Sequence, residues 1–213
     1  MVFCIPSFFC YTDSVMNKHD TIIFIGRSGS GKGTQVNLLQ EHLRENYPQV
    51  PLFYFESGGK FRELVKGDGY INTLTRNIMS EGKLVPDIVT DWLFVDNIIK
   101  NLDKEKLLIL DGFPRTPHQV QTLGSALEYF KKQRCYIIHV EVSEGEVRKR
   151  MVDRGRSDDL DMSLINTRIH WYNENVLPTL EILKSDPVYT VFNVNGEQSA
   201  DQVHKDIINL LTV

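Results

Sequence analysis

The sequence predicts an α/β fold, in which helices cover both faces of a doubly wound, parallel, five-stranded sheet. Five apolar runs, partly β-branched, alternate with longer stretches of helical spacing. Continuous apolar runs are typical of strands buried on both faces, and their alternation with helices is typical of parallel sheets. The chain has 213 residues with no internal repeat or inter-domain linker, which predicts one domain with a sizeable core.

The predicted elements follow one another in a regular order along the chain. The strands are expected at Thr21–Ile25, Leu52–Phe55, Lys106–Leu110, Cys135–Val142 and Val188–Val194. The clearest helices are expected at Thr34–Asn46, Asp87–Leu102 and Pro117–Lys132. The long interval between the second and third strands predicts small helical insertions there.

Residues 1–20 differ from the rest of the chain because they are apolar early and contain Pro6. No basic residue precedes Lys18, whereas a signal peptide places basic residues before its apolar stretch. We expect an N-terminal extension that is disordered or loosely docked, with Met16 as an alternative start. The main domain is expected at residues 21–213.

Composition excludes several classes of protein. A net charge of −4 argues against a protein that coats nucleic acid. The three cysteines, Cys4, Cys10 and Cys135, form no CxxC pair, which argues against structural zinc and favours a reducing compartment. No apolar run is long enough for a membrane span. We therefore expect a cytoplasmic protein that binds neither nucleic acid nor membranes.

The stretch "IGRSGSGKGTQ" follows the first predicted strand directly and opens the first helix. Gly26 to Lys32 fits the pattern G-x-x-x-x-G-K, whose backbone N–H groups cradle phosphates while the lysine reaches the outer ones. The sequence therefore predicts a nucleotide-phosphate site. Gly33 stands where Ser or Thr is usual in this motif, and Thr34 follows one residue later.

This stretch and five others resemble segments of the nucleoside monophosphate kinases, and of adenylate kinases in particular. The other matching segments, in chain order, are "SGGKFR" (57–62), "EGKLVPDIV" (81–89), "LDGFPRTPHQ" (110–119), "RMVDRGRSDD" (150–159, followed by Arg168) and "VNGEQSADQV" (194–203). The resemblance implies a P-loop kinase-type fold, a monomer, and transfer of the γ-phosphoryl group of ATP to AMP. It also implies a monophosphate-binding segment at about residues 56–86 and a lid at about residues 154–160.

Charge supports a phosphoryl transfer between nucleotides independently of the resemblance. A nucleotide triphosphate and a monophosphate together carry about six negative charges at neutral pH, so a net acidic chain that binds both must concentrate cations in one cleft. Arginine suits this task because its fork binds phosphate oxygens in two places and stays charged. The candidate cations are Lys32, Arg62, Arg115, Arg150, Arg154, Arg156 and Arg168. Arg150 and Arg154 are four residues apart, where like charges repel unless an anion bridges them.

The resemblance assigns residues to each substrate. The residues implied for ATP are Gly29, Ser30, Gly31, Lys32, Gly33, Thr34, Arg150, Arg154 and Gln198. Those implied for AMP are Ser57, Arg62, Lys83, Leu84, Val85, Gly112, Arg115, Gln119, Arg156 and Arg168. The residues expected to contribute to catalysis are Lys32, Arg115, Arg150, Arg156 and Arg168.

Three carboxylates near these cations have candidate roles. Asp111 ends the third predicted strand, where it is expected to orient Mg²⁺ through bound water; capping the following helix is the alternative. Asp158 and Asp159 are expected to orient lid arginines or phosphates, or else to cap the next helix.

The chain departs from the family pattern at two places. Only Gly155-Arg156-Ser157 separates Arg154 from Asp158, so the lid is short, and it contains no cysteine for zinc. Closure over ATP is then expected to be less complete. Gly59 replaces the aspartate of S-T-G-D, and Glu56-Ser57 replaces its Ser-Thr, which predicts weaker activity or a shifted base preference.

Several functions compete with AMP phosphorylation. A UMP/CMP kinase is the nearest alternative, although the carboxamide of Gln119 offers both a donor and an acceptor to adenine. A guanine-nucleotide switch is suggested by "NKHD" (17–20), but that motif should follow a late strand, and we interpret it as coincidence. A non-catalytic nucleotide-binding module is the third alternative.

Overall fold

The computed structural model describes residues 19–103, 105–132, 134–155, 159 and 161–211. A parallel five-stranded sheet in the order β2-β3-β1-β4-β5 forms its centre. The strands are β1 (Asp20–Ile25), β2 (Leu52–Glu56), β3 (Leu107–Asp111), β4 (Arg134–Glu141) and β5 (Tyr189–Asn195). The predicted fold class and all five predicted strands are confirmed, with ends within two residues of those expected.

Helices cover both faces of the sheet. They are α1 (Lys32–Asn46), α2 (Ser57–Leu64), α3 (Tyr70–Ser80), α4 (Asp87–Asn101), α5 (Pro117–Tyr129), α6 (Glu144–Arg154), α7 (Met162–Trp171), α8 (Leu177–Ser185) and α9 (Ala200–Leu211). A π-helical turn at Tyr172–Val176 joins α7 to α8. Helix α5 ends three residues before the predicted Lys132, and Lys131 then takes a positive φ of 54°.

The core lies in two layers because side chains alternate along the strands. In β1, Ile22 and Phe24 pack on one face of the sheet, and Ile23 and Ile25 pack on the other. Every residue of β1 is buried, as expected for a central strand that helices cover on both sides. A smaller cluster around Phe61 ties the helices inserted between β2 and β3 together.

Strand order places a switch point beside β1. In the sheet, β3 and β2 lie on one side of β1, and β4 and β5 lie on the other. Ligands of open α/β sheets bind outside the carboxyl ends of the strands at such a point. The loop after β1, the end of β3 and the inserted helices all lie near this edge, which positions the site described below.

The start of β1 explains part of the "NKHD" segment. Asp20 is buried, and its carboxylate accepts two hydrogen bonds from Arg134 of β4, each 2.8 Å long. This aspartate therefore has a structural partner inside the sheet. Residues 1–18, which include Asn17, Lys18 and Met16, lie outside the described residues. Within the described ranges, no helix combines the length and the apolar character that crossing a membrane requires.

Candidate active site

A cleft of about 1020 Å³ opens at the carboxyl edge of the sheet. The loop after β1 forms one wall, the helices α2 and α3 form another, and α7 closes a third. Asp111 and Arg115, from the end of β3 and the loop after it, also line this cleft. One cavity thus collects most of the cations that the sequence selected.

The loop from Gly26 to Gly31 wraps tightly before α1 begins. Gly29 has a φ of +81°, which other residues rarely adopt, and a Cβ atom there would lie 2.8 Å from Cγ of Met151, so another residue would be strained and would have to displace the Met151 side chain. Gly31 has a φ of +92° and precedes the first turn of α1, whose residues Lys32 to Thr34 line the cleft and whose N–H groups lack helical partners. A Cβ atom on Gly33 would meet no protein atom within 4 Å.

The lysine of this loop folds back onto its own backbone. Nζ of Lys32 donates hydrogen bonds to the carbonyl oxygens of Gly26 (2.8 Å) and Arg27 (2.9 Å). Desolvation lowers the pKa of Lys32 to about 8, although the nearby Asp111 carboxylate favours its charged form. The ammonium group is therefore fixed in position at the mouth of the loop.

Arg27 anchors the loop to distant elements, and sequence reasoning did not single it out. Its Nη1 donates to the carbonyl oxygen of Val142 (3.1 Å), and its Nη2 donates to Oδ1 of Asn173 (3.0 Å). The guanidinium also lies 4.8 Å from the centre of the Tyr172 ring. The π-helical turn thereby holds one side of the phosphate loop.

Asp111 lies at the end of β3, directly opposite Glu56 at the end of β2. The carboxyl group is buried, and this burial raises its pKa, while Lys32 opposes the rise and Glu56 adds to it. Burial raises the pKa of Tyr54, and the nearby carboxylates of Asp111 and Glu56 add to the rise. Helix α5 is capped by Thr116, so the alternative that Asp111 caps it is wrong.

Arg115 joins the ends of β2 and β3. Its Nε donates to the carbonyl oxygen of Gly112 (2.7 Å), and its Nη2 donates to Oγ of Ser57 (3.0 Å). That hydroxyl in turn donates to the Gly112 carbonyl oxygen (2.8 Å). Burial lowers the pKa of Arg115 while Asp111 raises it. The guanidinium lies 5.5 Å from the Trp171 ring, which fixes it between the sheet and α7.

A carboxylate gathers two arginines on the far side of the cleft. Asp159 is 1% exposed. It accepts hydrogen bonds from Arg154 at 2.7 and 3.0 Å and from Nη1 of Arg168 at 2.9 Å. Helix α7 is capped by Asp161 instead. Arg156, Asp158 and the rest of the expected lid, apart from Arg154, Gly155 and Asp159, lie outside the described residues.

Repulsion between Arg150 and Arg154 does not require a bound anion. Nε of Arg150 donates to Glu146 (2.7 Å), and its Nη1 donates to the carbonyl oxygen of Gly196 (2.9 Å). Arg154 has its own partner in Asp159. Because each guanidinium has a carboxylate of the chain beside it, the spacing of these two arginines does not by itself indicate a ligand, and their binding of phosphate stays a prediction.

Most of the expected site residues meet in the cleft. Those that line it are Gly29, Gly31, Lys32, Gly33, Thr34, Arg62, Lys83, Val85, Gly112, Arg115, Arg150, Arg154 and Arg168, together with Asp111. Those that do not are Ser30, Ser57, Leu84, Gln119 and Gln198. Ser57 lies directly behind Arg115, and Gln198 donates to Asn195 and Asp206.

Gln119 is fully buried rather than exposed to the cleft. Its Oε1 accepts a hydrogen bond from the backbone N–H of Arg115 (2.8 Å). Its Nε2 donates to Oδ1 of Asp87 (2.7 Å). In the described structure, both polar atoms of this amide therefore have partners inside the chain.

Sequence reasoning missed several residues that line the cleft, among them Tyr54, Arg76, Trp171 and Tyr172. Arg76 of α3 donates to the carbonyl oxygens of Val65 and Gly67. Nε1 of Trp171 donates to the carbonyl oxygen of Gly82 (3.0 Å). Trp171 lies three residues after Arg168, on the same helix face, and that spacing could have identified it.

Comparison with known proteins gives a consistent result. The family model described as "Adenylate kinase" matches residues 24–188. The adenylate kinase of Leptospira biflexa is 31% identical over 88% of this chain and 97% of its own length. Those of Thermosipho africanus (30% identity, 89% and 98%) and Prochlorococcus marinus (32%, 85% and 93%) are similarly related.

Proposed function

Since the chain belongs to the adenylate kinase family, we propose that it transfers the γ-phosphoryl group of ATP reversibly to AMP and forms two ADP. The observation that carries this proposal is the single cleft of about 1020 Å³, which joins a phosphate loop to a cluster of arginines. A site that only bound one nucleotide would need the loop but not the second group of cations.

The phosphate loop is proposed to hold ATP. The backbone N–H groups at the start of α1 and the ammonium group of Lys32 face phosphate oxygens there. Arg150 and Arg154 line the same cleft from α6, where they would bind the outer phosphates. Arg156, outside the described residues, is proposed to act with them.

The segment at residues 56–86 and the end of β3 are proposed to hold AMP. Arg62 and Arg115 both line the cleft near the carboxyl ends of β2 and β3 and would bind the acceptor phosphate. Arg168 is held by the same carboxylate as Arg154, so it lies where the two substrates meet. Lys83 and Val85 line the part of the cleft beside α3, which we assign to the base and ribose.

The reaction needs no general base, because the attacking oxygen of AMP is already anionic. Catalysis then consists of in-line positioning and stabilisation of charge on the transferred group. Lys32, Arg115, Arg150, Arg156 and Arg168 are proposed to supply that stabilisation. The lid excludes water, which would otherwise compete with AMP as the nucleophile.

The donor atoms of this cleft fit Mg²⁺, which enters with ATP. Asp111 offers a buried carboxylate and Thr34 a hydroxyl, and both line the cleft beside the loop; oxygen ligands of this kind suit a hard cation. Asp111 would hold the ion through water. When bound with ATP, the ion would neutralise charge on the phosphate groups.

Phosphoryl transfer measured with purified protein, Mg²⁺, ATP and each of AMP, UMP, CMP and GMP tests the proposal. We expect the highest kcat/KM with AMP. A higher value with UMP or CMP would establish the alternative kinase, and no transfer to any acceptor would establish a binding module. The proposal also includes a monomeric state and a cytoplasmic location. Gel filtration with light scattering tests the monomeric state, and fractionation of the source cell tests the location.

A further inference from the structure

Glu56 has an unusual position for an acidic residue in a phosphate-binding cleft. It is the last residue of β2 and the N-cap residue of α2. It also lies in register with Asp111, so its charge adds to that of a second carboxylate. A carboxylate is favoured at a helix N-terminus because it faces the partial positive charge there.

The Glu56 side chain forms an ion pair with the arginine of the same segment. Its Oε1 accepts a hydrogen bond from Nη2 of Arg62 at 2.7 Å, and the two side chains are 36% and 45% exposed. Both residues line the cleft. This is a short ion pair within reach of solvent, so a ligand can approach it.

Two glycines make room for this ion pair. A Cβ atom on Gly59 would lie 2.7 Å from Oε2 of Glu56, and one on Gly58 would lie 3.2 Å from Nη1 of Arg62. The carboxylate therefore lies directly against the first turn of α2. An aspartate at position 59 could not coexist with Glu56 in this conformation.

The groups that Glu56 contacts are those that bind phosphate in proteins. A helix N-terminus and an arginine fork both favour oxyanions, and here a carboxylate of the chain bonds to the arginine and lies against the first turn of α2. We propose that Glu56 is a specificity-determining residue of the acceptor side, whose carboxylate holds the anion position at Arg62 until the phosphate of AMP displaces it. This inference rests on the proposed function.

Displacement depends on the charge of the incoming group. A dianionic phosphate interacts with Arg62 and Arg115 together, whereas a singly charged anion offers no more charge than Glu56 itself. Glu56 therefore weakens the binding of the dianionic AMP phosphate moderately and the binding of singly charged anions strongly. At the donor end of the cleft, Lys32 bonds to backbone carbonyls rather than to a carboxylate, whereas Arg150 and Arg154 have carboxylate partners in Glu146 and Asp159.

Calorimetric titration of AMP into the wild type and the variant E56Q tests the proposal. Glutamine keeps the shape and removes the charge, so AMP should bind about threefold to tenfold more tightly. The KM for AMP should fall while the KM for ATP stays unchanged. The matched control is E63Q, which removes a charge from the same helix at an exposed ion pair with Lys60 (3.1 Å); it should leave AMP binding unchanged.

Two further variants test whether Glu56 acts on AMP binding through Arg62. In an R62Q background, E56Q should no longer tighten AMP binding, because its target is gone. G59A should tighten AMP binding like E56Q, because the new Cβ atom displaces the carboxylate. AMP binding by E56Q that equals that of E63Q, or is weaker than that of the wild type, would overturn the inference alone. A wild type that binds no AMP would refute the proposed function and this inference with it.

Discussion

The phosphate loop and the segment at residues 56–86 hold their cations in different ways. In the loop, Lys32 donates to two backbone carbonyls, whereas in the segment Arg62 is held by the carboxylate of Glu56. A cation held by backbone stays in place whenever the loop is folded. The exposed ion pair of Arg62 with Glu56 is instead proposed to open when the phosphate of AMP replaces the carboxylate. The two ends of the cleft are therefore built for a fixed and an adjustable contact.

The largest effect is expected from Lys32→Met, which removes the fixed contact of the phosphate loop. The ammonium group of Lys32 neutralises charge that moves during transfer, so kcat of the variant should fall by about 10²–10³-fold while the fold is kept. Steady-state kinetics and a thermal unfolding curve measure both quantities. Lys60→Met, at an exposed ion pair, is the control. Retention of more than about a tenth of wild-type kcat would remove Lys32 from this role.

A second substitution breaks a carboxylate contact that is more buried than that of Glu56. Asp159→Asn leaves Arg154 and Arg168 facing each other without their shared anion, so the free energy of unfolding should fall by about 1–3 kcal/mol. Urea denaturation measures the change, with the exposed Asp153→Asn on α6 as control. Equal stability of the two variants would mean that the three-residue cluster contributes nothing to the fold.

On the acceptor side, Gln119→Leu tests whether this residue recognises the base of AMP or only positions Arg115. If the amide leaves Asp87 to contact adenine, kcat/KM should fall by about tenfold with AMP and little with the other monophosphates, because adenine's polar edge loses a partner. We expect this AMP-specific loss. A uniform loss with AMP, UMP, CMP and GMP would instead assign Gln119 to positioning the backbone of Arg115.

The smallest expected effect concerns pH. Since kcat/KM reports the free enzyme, it should be halved near the Lys32 pKa of about 8 and fall further above it, as the ammonium group loses its proton. A pH–rate profile for ATP measures this. Lys132, whose pKa is also lowered to about 8, provides the control, since Lys132→Met should leave the profile unchanged. A profile that is flat to pH 9 would contradict a charged lysine with this pKa.

The free energy of unfolding should rise with pH above about 8, whereas kcat/KM should fall there. The lysine pKa is about 8 in the folded chain and 10.5 ordinarily, so between these values only the unfolded chain holds the proton. The free energy of unfolding then rises with pH across this window. Lys32→Met should show a smaller rise, because only Lys132 still contributes among these two lysines.

Sequence reasoning was most successful where neighbouring residues determine the geometry. The strands follow from apolar runs, and the position of Lys32 follows from a loop whose residues are consecutive. Partners that are distant along the chain could not be found in this way. On the acceptor side, Gln119 contacts Asp87 from 32 residues away, and in the phosphate loop Arg27 contacts Asn173 from 146 residues away. Such contacts depend on how the helices pack, which local patterns do not specify.

Selection for folding and selection for nucleotide binding act differently on two glycines of the phosphate loop. A side chain at position 29 would collide with Met151, whereas a side chain at position 33 would meet only empty space. Selection for folding alone would therefore let position 33 drift to alanine or serine while it kept Gly29 unchanged. Any restriction observed at position 33 in a population of functional variants reports the bound nucleotide, and its strength measures how closely the phosphates approach the backbone there.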